Sequence, residues 1–254
     1  MGSAFRRTSA CVALAWCVAT AAPHAQGRGG ATPPAAAKAS APVDLTGYWV
    51  AFISEDWRYR MVTPPKGDRV NIPVNAAAIA VVNAWDPAKD EAAGDQCKSY
   101  GAIGAMRQPG RVHITWADDN TLKVDTEAGT QTRLLHFAAT PPSAEPTWQG
   151  DSSATFEYAG GRRGRGPATN GDLKVVTRNL RPGYLQKNGV PYSANASLTE
   201  YFSRTTEPNG DTWLILTAIV DDPQYLNVPF IRSTHYKRLA DNFAGWSPEA
   251  CSSR

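Results

Sequence analysis

The stretch "RVHITWADDNTLKVDTEAGTQTRLLHF", Arg111 to Phe137, decides the fold. Its apolar residues recur at every second position: Val112, Ile114 and Trp116, then Leu122 and Val124. In an extended chain successive side chains point to opposite faces, so this rhythm gives each strand one apolar face. "ADDN" and "EAGT" between the runs carry residues that reverse a chain tightly. Three strands joined in this way predict an antiparallel meander.

The same period extends outward. Downstream lie "SATFEY" (Ser153–Tyr158), "DLKVVTRNL" (Asp172–Leu180), "SLTEYFSR" (Ser197–Arg204), "TWLILTAIV" (Thr212–Val220) and "FIRSTHYKRL" (Phe230–Leu239). Asn209-Gly210 is a strong hairpin turn between two of them. Upstream, "GYWVAF" (Gly47–Phe52) is apolar on both faces, and "WRYRMV" (Trp57–Val62) reads as a further short strand. Short connections between so many strands predict an all-β chain, an antiparallel meander β-barrel of about 8–10 strands. One segment changes period: over about 75–93, Asn75 caps a helix of Ala-rich sequence, Asp86-Pro87 starts another, and Gly94 ends it. This helical insert is expected to cover one end of the barrel domain, 44–254.

The ends bound the compartment. Residues 1–25 read as a secretory signal peptide, with Arg6 and Arg7 before an apolar run, Ala10–Ala22, too short to span a bilayer. Residues 26–43 lack large apolar side chains apart from Val43 and read as a disordered tether. Losing Arg6 and Arg7 lowers the 26 basic residues to 24 against 23 acidic ones. That near-neutral balance argues against nucleic-acid binding, despite the basic "GGRRGRG" at Gly160–Gly166. The protein is therefore expected to be exported, periplasmic or extracellular, with no transmembrane segment. Cys11 and Cys17 leave with the signal; Cys97 and Cys251 remain, either as a disulfide pinning the C-terminal tail or as two separate thiols.

Gly47-Tyr48-Trp49 on the first strand resembles the G-x-W signature of lipocalins. The resemblance implies a tryptophan packed across the barrel base beneath a basic residue of the last strand, so Trp49 with Arg238 or Lys237. The family's T-D-Y step has only a loose echo in "VDDPQYL" (Val220–Leu226). A broader likeness, through "QCKSYGA", "PGRVHITW" and "LTEYF", is to uncharacterised secreted bacterial all-β proteins; it implies no activity.

Chemistry-bearing residues are few. Glu200 shares a strand face with Leu198 and Phe202, so it is expected to point into an apolar interior. A buried carboxylate needs a cation or a proton, and Arg133 and Arg178 are the candidate partners. Such an acid could serve catalysis, with His136 or Tyr201 beside it, or could be half of a structural ion pair. Tyr184 and Tyr192, in the loop "RPGYLQKNGVPYSAN" (Arg181–Asn195), would either overhang the barrel mouth and close on a ligand or pack the loop down. His113, His136 and His235 have no chelating spacing, so no metal site is expected, and no cofactor fingerprint is present. The leading functional expectation is a barrel that binds a small, largely apolar molecule, lined by Arg133, Arg178, Glu200, Tyr184 and Tyr192. Two alternatives stand beside it: a barrel enzyme of isomerase, cyclase or esterase type, and an envelope interaction protein whose barrel is solid. The sequence leaves the oligomeric state open.

Overall fold

The alternation becomes a closed nine-stranded barrel in the computed structural model, which describes residues 1–2, 35–158 and 171–254. The strands are β1 (Gly47–Phe52), β2 (Arg111–Asp118), β3 (Thr121–Thr126), β4 (Gln131–His136), β5 (Asp151–Tyr158), β6 (Gly171–Arg178), β9 (Ser197–Thr206), β10 (Thr212–Asp221) and β11 (Phe230–Arg238). Between β6 and β9 the chain makes an excursion, the hairpin β7 (Gly183–Gln186) and β8 (Val190–Tyr192), which forms a separate two-stranded sheet. The expected long loop at 181–195 is thus largely this hairpin.

The barrel order is β1-β11-β10-β9-β6-β5-β4-β3-β2. Eight of the nine seams are antiparallel; β4 and β5 run parallel, so the barrel is mixed. That seam is also the thinnest, with two residue pairs in register, Leu135↔Ser152 and His136↔Ser153, against ten for β9 and β10. The reason is the Pro-rich 137–150 connection, which carries the chain back along the barrel before β5 begins.

The strand registers define two ends. Gly47 and Arg238 lie at the base, and Phe52, Arg111 and Phe230 at the rim. The two longest connections, β1–β2 and β6–β9, leave and re-enter the barrel at the rim. There sit α2 (Trp57–Met61), α3 (Ala76–Ala84), α4 (Pro87–Ala92) and α5 (Ala102–Ala105), all from the β1–β2 connection. A further short helix, α1 (Ala37–Ser40), precedes β1. Asn75 and Asp86 cap α3 and α4 by accepting from the Ala78 and Ala88 amides, and Pro87 opens α4, as the sequence implied.

"WRYRMV" is helical and not the expected strand. Asp56 adopts a left-handed conformation (φ 50°), which ends the extended run. Its carbonyl then accepts from the Tyr59 and Arg60 amides, closing one helical turn. Strand propensity was overridden here by a local turn.

By contact density the chain divides after Pro34. Ala35–Arg254 form one compact unit, and of Met1–Pro34 only the first two residues are described. Residues 3–25 of the expected signal segment, residues 26–34 of the expected tether and "GGRRGRG" therefore lie outside the described residues. Residues 35–43 contact the β2–β3 turn: the Ala37 amide donates to Asn120 Oδ1 (3.0 Å) and the Lys38 amide to the Asp119 carbonyl (3.0 Å).

At the base, Trp49 and Arg238 face each other in register. The guanidinium carbon sits 5.5 Å from the Trp49 ring centroid, and the indole N–H donates to the Leu45 carbonyl at 3.0 Å. Gly47 explains itself: its φ is +116°, and a Cβ there would lie 2.9 Å from Arg238 Nη2. Gly47→Ala is accordingly expected to cost about 1–3 kcal/mol of folding stability, measured by urea unfolding. A loss below about 0.5 kcal/mol would mean that Arg238 leaves its place over the indole freely.

The C-terminal tail climbs the outside of β1 and β2. Tyr48 stacks on His113, 3.9 Å between centroids, and Phe243 and Trp246 pack on this pair. Burial pulls the His113 imidazole below its usual pKa, against the opposing pull of Asp125. At the rim, the Glu249 amide donates to the Glu127 carbonyl, and Cys251 is bonded to Cys97.

Candidate functional site

Glu200 does point inward, and Arg133 meets it. Arg133 Nη1 donates to Oε1 at 3.0 Å and Nη2 to Oε2 at 2.6 Å. The side chains are 0% and 1% exposed. Nη2 also reaches Thr177 Oγ1 (3.4 Å), which shares a hydrogen bond with Ser152 Oγ (2.8 Å). The pair crosses the interior from β4 to β9, and its hydroxyl partners come from β6 and β5. It therefore ties together the strands on both sides of the thin parallel seam.

Around it the interior is filled. Trp49, Ile114, Val124, Leu135, Leu173 and Val175 are each fully buried, and Phe202, Leu216 and Tyr236 are 1% exposed. Walls of a water-filled chamber keep accessible area; these do not. From the rim, α5 is buried along its length and delivers Met106 into the barrel core, where the Met106 carbonyl accepts from the Tyr236 hydroxyl. Burial drives the Tyr236 phenol upward in pKa.

The other sequence candidates are dispersed. Tyr201 neighbours Glu200 in sequence, so it faces the opposite side of the sheet, 5.5 Å from Lys174 Nζ. His136, also off the inward face, lies 3.3 Å from Thr121 Oγ1. Arg178 is exposed, in register with Asp151. Tyr184 donates to Asp90 Oδ2 at 2.8 Å; burial and that carboxylate raise its pKa. Tyr192 is 1% exposed, against Gly101 and Gly183, and burial raises its pKa too. The two tyrosines thus fasten the hairpin to the rim insertion. Among the described residues no cluster of three or more His, Cys, Asp or Glu could hold a metal ion.

A different polar group lies at the rim, unmarked in the sequence. Residues 55–60 bring Glu55, Asp56 and Arg60 against Arg107, Arg232 and His235. Arg60 pairs with Glu55 and donates from Nε to the Arg107 carbonyl at 2.9 Å. His235 Nδ1 is 3.2 Å from the other Glu55 oxygen. Asp56 Oδ2 stands 3.4 Å from Arg107 Nη2 and 3.0 Å from Arg232 Nε, though the Arg232 N–H does not point at it. Burial lowers the Arg107 pKa, partly offset by Asp56. An open cleft of about 600 Å³ runs along Glu55, Asp56, Asn71, Arg232 and His235. It adjoins a groove of about 490 Å³ lined by Ile72, Pro73, Phe230 and Ile231.

The segments that build the cleft and groove also carry most of the exposed large hydrophobic residues among those described. Of nine exposed large hydrophobic residues among those described, seven fall in the three segments 52–62, 70–73 and 228–231. Phe52, Trp57, Met61 and Val62 lie before, on and just after α2; Ile231 lines the groove, and Val70 and Val228 each precede one of its lining residues. Arg58 and Lys66, close to the first four in sequence, are exposed as well. The sequence concealed the helix here: "WRYRMV" alternates apolar and basic residues from Trp57 to Met61, the pattern of a half-buried strand.

No family model, no curated protein and no solved structure matches this chain. No helix among the described residues is long and apolar enough to cross a membrane.

Proposed function

We propose that this chain is an exported interaction protein of the cell envelope, built on a solid barrel, which docks through its rim face onto a membrane surface bearing acidic headgroups. The observation that carries the reading is that seven of the nine exposed large hydrophobic residues among those described come from the segments 52–62, 70–73 and 228–231 that build the rim cleft and groove, with Arg58 and Lys66 exposed in or next to the first of them. A patch of that kind on a folded domain marks a contact surface. Exposed tryptophan with nearby cations suits the headgroup boundary, and each basic residue there contributes about 1 kcal/mol against anionic lipid. Export is supported by residues 1–25 and by the Cys97–Cys251 bond, which suits an oxidising compartment. On this reading the lipocalin likeness is confined to the Trp49–Arg238 base. The enzyme alternative has less support, because Glu200 is held by Arg133 in a packed interior away from His136 and Tyr201.

Flotation with vesicles tests the reading. The protein is expected to bind phosphatidylglycerol vesicles, to lose binding as salt rises, and to ignore phosphatidylcholine. Trp57→Ser with Met61→Ser should weaken binding at least tenfold without changing the urea midpoint. Absence of binding to acidic vesicles at low salt sinks it. The cleft and groove favour a second reading, a small amphipathic ligand held at Arg232; native mass spectrometry of protein from its own host would then show added mass.

A further inference from the structure

His235, on β11, lines the rim cleft of about 600 Å³, and its side chain is 33% exposed. Its Nδ1 lies 3.2 Å from Glu55 Oε2. A carboxylate only accepts, so this bond places the imidazole proton on Nδ1 and leaves the Nε2 lone pair unused. Among the described residues Nε2 has no hydrogen-bond partner. Glu55 is itself fixed. Arg60 pairs with Oε1, and Ser54 Oγ donates to Oε2 at 3.2 Å. Arg60 is anchored in turn, donating from Nε to the Arg107 carbonyl at 2.9 Å. The Glu55–His235 contact is partly open to water, and such pairs contribute little to folding.

We propose that the rim cleft is a hydrolytic site for small carboxylic esters with an apolar acyl arm, in which His235, oriented by Glu55, is the general base toward water. Three observations converge on it. First, an accessible ring nitrogen whose tautomer is set by a carboxylate on the other nitrogen is the arrangement a general base needs. Second, the cleft shares Asn71, Ile231 and Arg232 with the groove of about 490 Å³, where Ile72, Pro73 and Phe230 offer apolar surface. A ligand lying across that junction is polar at one end and apolar at the other, as a short-chain ester is. Third, Arg232 stands at the junction with its side chain 25% exposed. Its two Nη atoms each give one proton to a carbonyl, of Ile231 or Asn71, and each retains another. That charge suits a carbonyl oxygen that turns negative during attack.

Ser233 lines the same cleft, two positions before His235 on the outward face of β11. Cα atoms so spaced are about 6.6 Å apart, which leaves room for one water between the side chains. Ser233 Oγ already shares a hydrogen bond with Thr217 Oγ1 at 3.0 Å, so it positions the water and is not the nucleophile. The water oxygen bonds to the ester carbonyl carbon as Nε2 takes its proton. The tetrahedral adduct then breaks its acyl C–O bond, and the leaving alkoxide takes the proton back from Nε2. Only water is consumed; a carboxylic acid and an alcohol are released. The inference rests on the reading of cleft and groove as a ligand site, and is independent of vesicle docking and of Glu200.

The full chain is assayed with phenyl butyrate and phenyl acetate. Both should turn over, with kcat/KM about tenfold higher for the butyrate, whose longer arm reaches the groove. His235→Gln should lower kcat/KM about 100-fold at an unchanged melting temperature, the scale of a general base. Added imidazole should restore part of the rate to His235→Gly, which a merely structural histidine would not show. Glu55→Gln should lower kcat and leave KM nearly unchanged. Butyranilide, the amide analogue, is titrated alongside as a probe of binding. Butyranilide binding without ester turnover, or equal turnover by the wild type and His235→Gln, overturns the proposal and leaves the ligand reading standing. Absence of both binding and turnover removes the two together.

Discussion

Glu200→Leu alone is expected to cost about 3–5 kcal/mol of folding stability, the loss typical when one member of a buried ion pair is removed. The Arg133 guanidinium would remain inside the barrel with Thr177 as its one side-chain partner, and its Nε already lacks one. An uncompensated charge in that interior has neither water nor counter-ion. The double variant Arg133→Met/Glu200→Leu should recover most of the loss, because apolar residues of similar volume do not require the charges to be desolvated. Urea midpoints at unchanged m-value would check both. If Glu200→Leu proves too unstable to purify, the double variant still decides the matter, since its recovery isolates the lone charge as the cause. A loss under about 1 kcal/mol for Glu200→Leu would mean that water reaches Arg133. The interior would then be a chamber, and the solid-barrel reading would fall with it.

This pair also shows how far the sequence could be read. A single carboxylate on an otherwise apolar strand face has few solutions, so Glu200 and its candidate partners Arg133 and Arg178 could be named in advance. Choosing between them needed the sheet order, because Arg133 on β4 and Glu200 on β9 meet only once the barrel is closed. The meander over 111–137 was legible because two-residue rhythm and turn residues agree. The parallel β4–β5 seam was not: period two reports which face is buried, never which strand lies alongside. The long Pro-rich connection was the available clue, since a tight antiparallel hairpin would not need it. The G-x-W step left the cation over Trp49 open between Arg238 and Lys237; the structure puts Arg238 there, while Lys237 pairs with Asp211. The rim cleft was opaque for another reason. It is assembled where residues 55–73 of the long β1–β2 connection lie against the first part of β11, and the period of β11 says which face is buried but not which connection packs beside it.

Reduction of Cys97–Cys251 is expected to be the other large effect. The bond closes a loop of 154 residues, which includes nearly the whole barrel. In the chain-entropy account a cross-link of that span stabilises by about 5 kcal/mol, an upper figure because real denatured chains are already compact. The tail's remaining attachments are slight beside that. They include the Glu249 amide to Glu127, Thr130 Oγ1 to the Glu249 carbonyl, Ser247 N to Glu127 Oε1, the surface ion pairs Asp241–Arg238 and Glu91–Arg254, and the contacts of Phe243 and Trp246 with Tyr48, His113 and Arg111. Cys97→Ser/Cys251→Ser should therefore lower the urea midpoint strongly and make residues after Leu239 the first site of proteolysis. The barrel strands should stay protected from hydrogen exchange under native conditions, since no ladder bond depends on the tail. If exchange instead accelerated across β1 and β2 together with the tail, the tail would be acting as an outer wall of the barrel, covering Tyr48 and His113. Its bond to Cys97 would then hold the closed sheet itself, beyond restricting the unfolded chain.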